Sequence, residues 1–512
     1  MYVQFDEDKE KEKIIKKFAE NNLVLTSLGF ERILINKIDP EEIIVEAKKE
    51  DQWLVSDEFI QEYIDGRRGE SEKVEKENKR TRKEKTPETV VIEKKRHIVA
   101  KEIDSELVIH EETDVTGKST CEGVIENFLE YFNSKYNNLK EILQRRQNLS
   151  GSVPIKFVRK SAERDNRVSI IAMIITKRES RRGYKFIDVE DPTGELSVMI
   201  PDNKRQLSGI YERLLPDEVV GITGRLHNDL FIADEIYQPE LPIDNKTNSA
   251  SEPVSVAFLS DIHVGSYLFL EKEFNKFIDC LNLRGNNREL FERVKYLLIA
   301  GDLVDGIGIY PNQEEELSIP DIYRQYDFFA LLLERIPDYI EIVLCMGNHD
   351  AVRNGEPQPR LSKDIGASLY ALPNVHVLGN PVMVSIHGVK TLMYHGTSID
   401  TMIGSLAECT YSRPEIAMVE YLKRRHLVPM YGNDSISPER EDYLAIKEIP
   451  DILHCGHVHT NGYANYRGVK VINSGTFQAR TKYQEEQGHI PTPGRVPIMN
   501  LQNHEVSIVH FG

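Results

Sequence analysis

The spacing of hydrophobic positions predicts helices in the first part of the chain. In residues 1–66, short apolar stripes follow capping signals such as Asp39, and together they predict a small helical docking domain. In residues 121–150, apolar side chains recur at helical spacing and predict one amphipathic helix. Residues 67–120, between these regions, begin with a charged run almost free of apolar side chains and predict a disordered linker.

The hydrophobic period changes to that of β-strands in residues 151–245. Five short stretches are continuously apolar or alternate between apolar and polar positions, and a helical stretch at 207–214 separates the third from the fourth. Five strands with one helix in that place predict an OB-fold β-barrel. Because helical and strand-rich regions follow one another along the chain, the whole protein is predicted to be multidomain α+β.

Five apolar stretches in residues 252–512 each end in residue types that bind metals. Open α/β sheets place their sites at the carboxyl ends of strands, so these side chains are expected to converge. Two of them, Asp261 and His263, are two positions apart on an extended chain and therefore point the same way. The complete set is Asp261, His263, Asp302, Asp305, Asn348, His349, Asp350, His395, His457 and His459.

Composition excludes several classes of protein. The chain has 512 residues, of which 40% are hydrophobic, and no apolar run approaches the roughly 18 residues of a membrane span. The N-terminal residues are acidic and lack the apolar region of a secretory signal. Five scattered cysteines argue against a disulfide framework and against a thiolate zinc site. We therefore expect a cytoplasmic protein that has no membrane partner.

The charge total alone argues against a nucleic-acid partner, but the distribution of charge does not. The 65 Lys and Arg against 83 Asp and Glu give a net charge of −18. Within residues 156–185, however, ten basic residues face three acidic ones, with aromatic side chains interleaved, which is typical of single-strand binding. The candidate DNA contacts there are Lys177, Arg178, Arg181, Arg182 and Tyr184. A barrel that serves only to dock proteins remains an equal alternative.

The strand-end residues form an ordered series of motifs: DxH at 261, GDxxD at 301, GNHD at 347, HG at 395 and GHVH at 456. The series resembles that of the calcineurin-like metallophosphoesterases over about residues 252–480. That resemblance implies an α/β sandwich of two mixed sheets flanked by helices, with two divalent metal ions at the strand ends. One ion would be bound by Asp261, His263 and His459, the other by Asn348, His395 and His457, and Asp302 would bridge them.

The resemblance also implies roles for the residues around the metals. His349 would stabilise the transition state or protonate the leaving group. Asp350 would orient His349, with ordinary structuring of the loop as an equal alternative. Asp305 would support a ligand histidine from outside the ligand set. Arg353 and Arg360 follow the GNHD motif and would contact DNA phosphate, with ordinary surface arginines as the alternative. Nitrogen and oxygen ligands without thiolate suit Mn, Fe or Zn, and the resemblance favours Mn²⁺.

The order of the modules narrows the resemblance further. A helical domain, a basic tether, an OB-fold and a phosphoesterase domain with every ligand motif present is similar to the small subunits of archaeal family-D DNA polymerases. The similarity implies a 3′→5′ exodeoxyribonuclease that proofreads single-stranded or mismatched DNA 3′ ends. DNA synthesis would belong to a separate large catalytic subunit in a heterodimer or higher assembly. Through its N-terminal domain the chain would contact a sliding clamp or other replication proteins.

Two rival functions remain open at the level of sequence. A stand-alone metallophosphatase or phosphodiesterase would hydrolyse a small phosphoester and would not need the OB-fold. A non-catalytic scaffold subunit would show no metal-dependent activity despite its intact ligands. The strand-end motifs alone do not separate these possibilities from a nuclease.

Overall fold

The computed structural model describes most of the chain, namely residues 13–21, 23–50, 52–65, 98–163, 167–201, 204–228 and 230–512. The predicted disorder of residues 67–97 falls outside these ranges and stays a prediction. The first twelve residues of the predicted docking domain fall outside them as well.

The N-terminal unit, residues 13–65, consists of short helices around a small apolar core. Its elements are α1 (13–19), β1 (Val24–Leu25), α2 (Ser27–Asn36), α3 (Pro40–Lys49), β2 (Leu54–Val55) and α4 (57–65). The two strands pair in parallel, which the sequence pattern did not indicate. The Asp39 side chain accepts the amide hydrogen of Glu41 at 3.0 Å, so the predicted N-cap of α3 is present. Val24 and Trp53 pack against the core of the C-terminal domain, so this unit is docked on it.

Residues 98–121 are ordered against the C-terminal domain, so the prediction that the linker extends to residue 120 is wrong for this part. They form α5 (Val99–Glu102), β3 (Leu107–Ile109) and a 3₁₀ turn (Glu111–Thr113). Strand β3 pairs antiparallel with β13 (Val382–Ile386) at the edge of a sheet. The segment is held by strand pairing and by Ile103, Leu107 and Ile109, which pack against the core of the sandwich. These partners are distant in sequence, so local composition does not reveal them.

One long helix, α6 (Ile125–Gln144), connects this segment to the next domain. It lies within the predicted range 121–150. On one side the hydroxyl of Tyr136 donates to the carbonyl of Ile171 at 3.0 Å, and on another the ammonium of Lys135 donates to the carbonyl of Pro429 at 2.7 Å. The helix is therefore wedged between two domains, and its apolar stripe packs rather than holding a cofactor.

Residues 155–237 form a closed five-stranded barrel. Strands β4 (Val168–Glu179), β5 (Lys185–Asp191), β6 (Gly194–Ile200), β7 (Val219–His227) and β8 (Leu230–Tyr237) are joined in the order β4-β5-β6-β8-β7, and β7 pairs back onto β4. Helix α8 (Arg205–Arg213) lies between the third and fourth strands. A 3₁₀ turn (Ile155–Phe157) and α7 (Val158–Ala162) precede the barrel. The five-stranded barrel with its inserted helix confirms the prediction.

The C-terminal domain is a sandwich of two six-stranded sheets. The first has the order β12-β11-β10-β9-β18-β19, built from β9 (Ser255–Leu259), β10 (Val294–Ala300), β11 (Glu341–Cys345), β12 (Val375–Val377), β18 (Arg495–Asn500) and β19 (Val506–His510). The second has the order β16-β17-β15-β14-β13-β3, built with β14 (Val389–Met393), β15 (Ile452–Cys455), β16 (Asn461–Tyr466) and β17 (Val469–Ser474). Strands β9 to β12 run parallel to one another, as do β14, β15 and β17.

The core of the sandwich lies between the sheets, where Phe258 and Leu298 of the first meet Val384 and Ile472 of the second. Because both faces of each sheet are covered, the central strands are apolar almost throughout, as their sequences predicted. Helices α9 (Glu271–Leu281), α10 (Arg288–Phe291), α11 (Ile322–Glu334) and α12 (Ala367–Tyr370) cover the first sheet, and α13 (Ile399–Ser405) and α14 (Pro414–Arg424) cover the second. A 3₁₀ turn (Gln313–Glu316) and α15 (Lys482–Glu486) lie in loops.

Two findings bear on the environment of the protein. In the part of the chain that the structure describes, no helix is both long and apolar enough to span a bilayer. All five cysteines are free thiols, and four of them are buried.

Candidate metal centre

Strands from both sheets bring the predicted metal ligands to one edge of the sandwich. Strands β9, β10 and β11 are parallel neighbours, and they end just before Asp261, Asp302 and Asn348. Strands β14 and β15 are parallel neighbours in the other sheet, and they end before His395 and His457. The carboxyl ends of parallel strands meet at one edge of a sheet, which explains the convergence of residues so distant in sequence.

The backbone turns sharply where these side chains enter the site. Five of the ligand candidates adopt the left-handed conformation that non-glycine residues rarely take, with φ of 52° at Asp261, 53° at His263, 50° at Asp302, 71° at His457 and 56° at His459. Each such residue costs of order 1–3 kcal/mol and persists only where the surrounding structure holds it. A cluster of strained residues at converging strand ends is typical of a functional site.

The first ligand group contains Asp261, His263 and His459, all buried. The Nε2 atom of His459 lies 3.4 Å from Oδ1 of Asp261, and Nε2 of His263 lies 4.0 Å from the same oxygen. The other carboxylate oxygen of Asp261 accepts the backbone amide hydrogen of His457 at 2.8 Å. One oxygen of Asp261 is thus used by the fold, and the other faces the two imidazoles.

The second ligand group contains Asp302, Asn348, His395 and His457. The side-chain oxygen of Asn348 lies 2.9 Å from Nε2 of His395 and 3.1 Å from Nδ1 of His457. Oδ2 of Asp302 lies 3.3 Å from Nε2 of His395. The Nδ1 atom of His395 is 2.8 Å from the carbonyl oxygen of Ala300, which fixes the ring so that Nε2 faces the centre.

Asp302 lies between the two groups. Its Oδ2 atom is 3.8 Å from Nε2 of His263 in the first group, in addition to its contact with His395 in the second. The carboxylate is 3% exposed, so it faces the ligand histidines rather than solvent. The bridging role that the family resemblance implies for Asp302 stays a prediction.

The contacts within the site fit bound cations. The Nε2 atoms of His263 and His459 face each other at 3.1 Å, and Oδ1 of Asp261 is buried with no hydrogen-bond partner. Burial alone would lower the pKa of His395, but the negative charges of Asp302 and Asp261 outweigh it and raise this pKa to about 10. Divalent metal ions would accept these unshared lone pairs and would neutralise the buried negative charge.

Asp305 contacts the candidate ligand His263, which is the contact that its predicted supporting role requires. Its carboxylate oxygen lies 3.1 Å from Nδ1 of His263, on the side of the ring that faces away from the centre. The side-chain amides of Gln313 and Gln478 each donate to this carboxylate at 3.0 Å. The two glutamine amides therefore fix the Asp305 carboxylate, and this carboxylate in turn fixes the His263 ring.

Two residues that the sequence did not indicate contact the remaining candidate ligand histidines, His457 and His459. A carboxylate oxygen of Asp400 lies 3.0 Å from Nε2 of His457, and Nε2 of Gln484 lies 3.0 Å from Nδ1 of His459. Both come from loops or short helices at the rim, outside any strand-end motif. Only the position of Asp400, shortly after the HG motif, hinted at such a role.

His349 lies at the mouth of the site and is half-buried. Its backbone amide donates to Oδ1 of Asp302 at 2.8 Å, and its Nδ1 lies 2.8 Å from the carbonyl oxygen of Asp305. The ring packs edge-on against His263, with 4.7 Å between the ring centres. His349 is thus next to both ligand groups, with Nε2 the ring nitrogen that its contacts leave open.

The prediction that Asp350 orients His349 is wrong, because the backbone carbonyl of Asp305 does so. The Asp350 carboxylate points into the protein, where it accepts the amide hydrogen of Gly347 at 2.8 Å and the hydroxyl of Tyr326 at 3.0 Å. It also accepts the amide hydrogen of Leu303 at 3.4 Å. Asp350 therefore ties together the two loops that carry Asp302 and Asn348.

Three of the predicted DNA contacts are held by the chain itself. The ammonium of Lys177 donates to the carbonyl of Tyr211 at 3.3 Å. Arg178 pairs with the carboxylate of Asp188 at 2.8 Å, and Arg353 pairs with Glu439 at 2.8 Å. Each of these three cations has a partner within the chain, and its contact with DNA stays a prediction.

The other predicted DNA contacts are exposed and stay predictions. Arg181, Arg182 and Tyr184 lie at the turn between β4 and β5, and the Tyr184 side chain is 51% exposed. Arg360 lies on the surface after the GNHD motif, and its backbone amide donates to the hydroxyl of Thr116 at 2.9 Å.

Comparison with known proteins agrees with this geometry. Residues 254–481 match the family of calcineurin-like phosphoesterases. That family and the sandwich fold imply divalent metal ions, and the buried Asp and His groups supply candidate ligands for them. The chain is therefore a multidomain protein that carries a calcineurin-like phosphoesterase domain next to a five-stranded barrel.

Similar proteins that match most of the chain identify its family more closely. The DNA polymerase II small subunit of Archaeoglobus fulgidus is 44% identical over 404 residues, which cover 78% of this chain and 80% of the relative. Those of Methanothermobacter thermautotrophicus and Methanocaldococcus jannaschii are each 42% identical, over 76% and 79% of this chain and 80% and 68% of the relative. The chain belongs to the family of DNA polymerase II small subunits. The predicted relationship to archaeal polymerase small subunits is thus confirmed.

Proposed function

We propose that this chain is the proofreading nuclease of its polymerase, a metal-dependent 3′→5′ exodeoxyribonuclease acting on single-stranded or mismatched DNA 3′ ends. The observation that carries the proposal is a complete set of nitrogen and oxygen donors at the strand ends of a polymerase small subunit. Backbone strain at five of these residues supports it, since strain that serves no function is not expected to accumulate at one place.

The donor set supports two divalent ions, and we assign Mn²⁺ to them, with Fe or Zn as alternatives. Asp261, His263 and His459 would hold one ion, Asn348, His395 and His457 the other, and Asp302 would bridge them. Bound divalent ions would neutralise the scissile phosphate and activate a water molecule for attack on phosphorus. Every other task falls to side chains of this protein.

The fold supports the chemistry by positioning these side chains. Asp305, Asp400 and Gln484 hold the ring orientations of His263, His457 and His459, so the ligand atoms are in place before substrate arrives. His349 would deliver a proton from Nε2 to the leaving 3′-oxygen, because its Nδ1 is engaged with the carbonyl of Asp305.

The partners follow from the same proposal. The relatives are named small subunits of DNA polymerase II, which implies a large subunit that carries DNA synthesis. This chain would assemble with such a subunit, while Arg181, Arg182 and Tyr184 of the barrel would guide the single strand or primer–template toward the metal centre. The docked N-terminal unit would offer a site for a sliding clamp or another replication protein.

The test compares four substrates in Mn²⁺, with the chain alone and assembled with its large subunit. They are 5′-labelled single-stranded DNA, a primer–template ending in a mismatch, the fully paired primer–template, and p-nitrophenyl phosphate. The expected result is stepwise shortening from the 3′ end, faster for the single strand and the mismatched primer than for the paired one. The small phosphoester should be a poor substrate.

Two outcomes would replace the proposal. Rapid hydrolysis of p-nitrophenyl phosphate with intact DNA would indicate a stand-alone metallophosphatase. No hydrolysis of any substrate, with or without the large subunit, would indicate a non-catalytic scaffold.

A further inference from the structure

An apolar cleft opens directly beside the metal-ligand residues, and the proposed reaction gives it no role. Its volume is about 570 Å³, within the roughly 300–1,000 Å³ of small-molecule sites. Asn348 and His349 form one end of it. Aliphatic side chains form most of the remaining wall, namely Ile307, Ile309, Ile322, Ala351 and Val352.

The cleft is lined by side chains that the fold leaves exposed. Ile307 is 45% exposed and Ile309 is 36% exposed, and both follow closely after Asp305 in the chain. Neighbouring Tyr310 is 38% exposed, and its hydroxyl donates to Glu316 at 2.9 Å. A group of large, exposed apolar side chains beside a polar centre marks a binding surface, whereas single exposed apolar side chains are common on any protein.

Buried polar side chains fix the loop that carries Ile307 and Ile309. The amide of Gly306 donates to the side-chain oxygen of Gln325 at 2.9 Å, and the side-chain nitrogen of Gln325 donates back to the Gly306 carbonyl at 3.1 Å. The amide of Ile309 donates to the side-chain oxygen of Gln313 at 2.9 Å. Both glutamines are fully buried, so the loop is built to present its isoleucines rather than to bury them.

The chemistry of the wall selects the kind of group that binds. Among the residues that the structure describes, no Lys or Arg lines the cleft, and Asp350 is the one acidic residue there. Its carboxylate is bonded to backbone amides and Tyr326. A second phosphate would find no cation there, whereas a flat, uncharged base would bury its faces against aliphatic side chains. Asn354, also part of the wall, is the remaining polar side chain besides the metal-site residues.

We propose that this cleft is a subsite for the nucleobase on the leaving-group side of the scissile phosphate, which is the base of the penultimate nucleotide. The proposal rests on the proposed nuclease function and names a part of its substrate site. It places the cleft on the leaving side because His349, which would protonate the leaving oxygen, forms one end of the cleft. An aliphatic wall reads no base sequence, so all four bases are accepted.

The subsite has a consequence for the choice of DNA end. A base that is paired within a duplex cannot enter the cleft, so cleavage requires the last two nucleotides to be unpaired. A mismatched primer end, which opens more readily than a matched one, would meet this requirement at lower cost in free energy.

The first test uses single strands that lack one base, at either the terminal or the penultimate nucleotide. Wild type should cut the strand with the penultimate base missing about tenfold more slowly than the intact strand, since stacking of one base contributes on this scale, while loss of the terminal base should matter little. The double variant Ile307→Ala/Ile309→Ala should cut the intact strand as slowly and should no longer respond to the missing penultimate base. The matched control is Ile508→Ala on β19, 48% exposed and away from the site, which should behave as wild type.

A second measurement does not depend on hydrolysis. A single strand carrying 2-aminopurine at the penultimate position is bound with metal withheld, and its fluorescence should change with wild type and Ile508→Ala but not with the double variant. Absence of this change with wild type overturns the subsite, as does an equal effect of the missing base on wild type and the double variant. If no DNA is cut but the fluorescence responds as expected, the nuclease proposal fails and the base subsite stands.

Discussion

At the scale of single residues, the candidate metal ligands depend on neighbours that aim them. Asp305 shows this most clearly, because it bonds to His263 and is itself held by Gln313 and Gln478. The sequence indicated Asp305 because it lies within the GDxxD motif. It could not indicate Asp400 or Gln484, because they lie on the short helices α13 and α15, whose position depends on the folded sandwich.

Asp305→Asn should weaken Mn²⁺ binding without unfolding the protein. Replacing the carboxylate by an amide removes the charge that fixes the His263 ring, and losses of about 10–100-fold are usual for such outer partners. Isothermal titration with Mn²⁺ measures the effect. The control is Asp338→Asn, an exposed aspartate in the loop after α11, and equal affinity in the two variants would show that Asp305 does not support the ligand.

His349 and Asp350 are neighbours with opposite expected effects. His349→Ala should slow DNA hydrolysis by about 10²–10⁴-fold with little change in melting temperature, because the ring would act on the leaving group. Asp350→Ala should lower the melting temperature, since Gly347, Leu303 and Tyr326 lose their acceptor at a cost of about 1–3 kcal/mol for each group left unpaired. The melting temperature and the rate of DNA hydrolysis are measured for both variants. An unchanged melting temperature for Asp350→Ala would contradict its assignment as a brace.

At the scale of elements, the segment 98–121 shows how far local composition can mislead. It is rich in charged residues and follows a charged run, yet β3 forms the edge of a sheet and the Glu439 carboxylate binds the residues that follow. The Glu439 carboxylate accepts the hydroxyl of Ser119 at 2.6 Å and the amide hydrogens of Thr120 at 2.6 Å and Cys121 at 3.1 Å. The strands and barrel were predictable from their periods, but this contact joins residues more than 300 positions apart.

Glu439→Ala should release this segment from the phosphoesterase domain. Loss of the buried acceptor leaves three donors unpaired, so trypsin should cut at Lys118 faster than in wild type. Limited proteolysis followed by mass spectrometry measures the cleavage. Glu441→Ala, which removes a half-exposed glutamate paired with Lys447, is the matched control and should resist like wild type. Equal resistance of the two variants would contradict the role of Glu439.

The same carboxylate predicts a dependence on pH. Burial alone would raise the pKa of Glu439, but hydrogen bonds from Ser119, Thr120 and Arg353 outweigh it and lower this pKa below its usual value. A lowered pKa means that the ionised group stabilises the fold above its unfolded pKa and that this stabilisation is lost as pH falls through the folded value. Cleavage at Lys118 by an acid-tolerant protease should therefore rise on acidification in wild type, and the rise should be smaller in Glu439→Ala.

At the scale of the whole molecule, a buried ionic network joins the barrel to the phosphoesterase domain. Arg424 of α14 is 1% exposed and lies 3.4 Å from the carboxylate of Glu218 in the barrel domain, and it also pairs with Glu420 of its own helix. The backbone carbonyl of Arg213 accepts from Arg424 at 2.6 Å. The sequence predicted two separate domains here but not the charge contact that fixes one against the other.

Glu420→Gln should strongly destabilise this junction. It leaves the buried guanidinium of Arg424 without one of its carboxylates, and breaking one partner of a buried pair costs about 3–5 kcal/mol. Differential scanning calorimetry should show an earlier transition. Glu408→Gln, which removes a side chain that is 38% exposed and paired with Arg213, should shift it little. Equal shifts would show that the buried network does not stabilise the junction.

At the scale of the whole molecule, the net charge of −18 does not by itself exclude a DNA partner. Part of the acidity lies at the metal centre, where Asp261 and Asp302 are expected to be neutralised by bound ions. Several barrel cations are paired internally, so the chain alone should bind DNA weakly and depend on its large subunit for most phosphate contacts.

The measurement that tests the central claim most directly is digestion of 5′-labelled single-stranded DNA in Mn²⁺ by wild type, Asp302→Ala, His459→Ala and the surface control Asp338→Ala. We expect a ladder of products shortened from the 3′ end for wild type and Asp338→Ala, and uncut DNA for the two ligand variants. Digestion by Asp302→Ala and His459→Ala as fast as by wild type would show that the metal centre at the strand ends is not the active site.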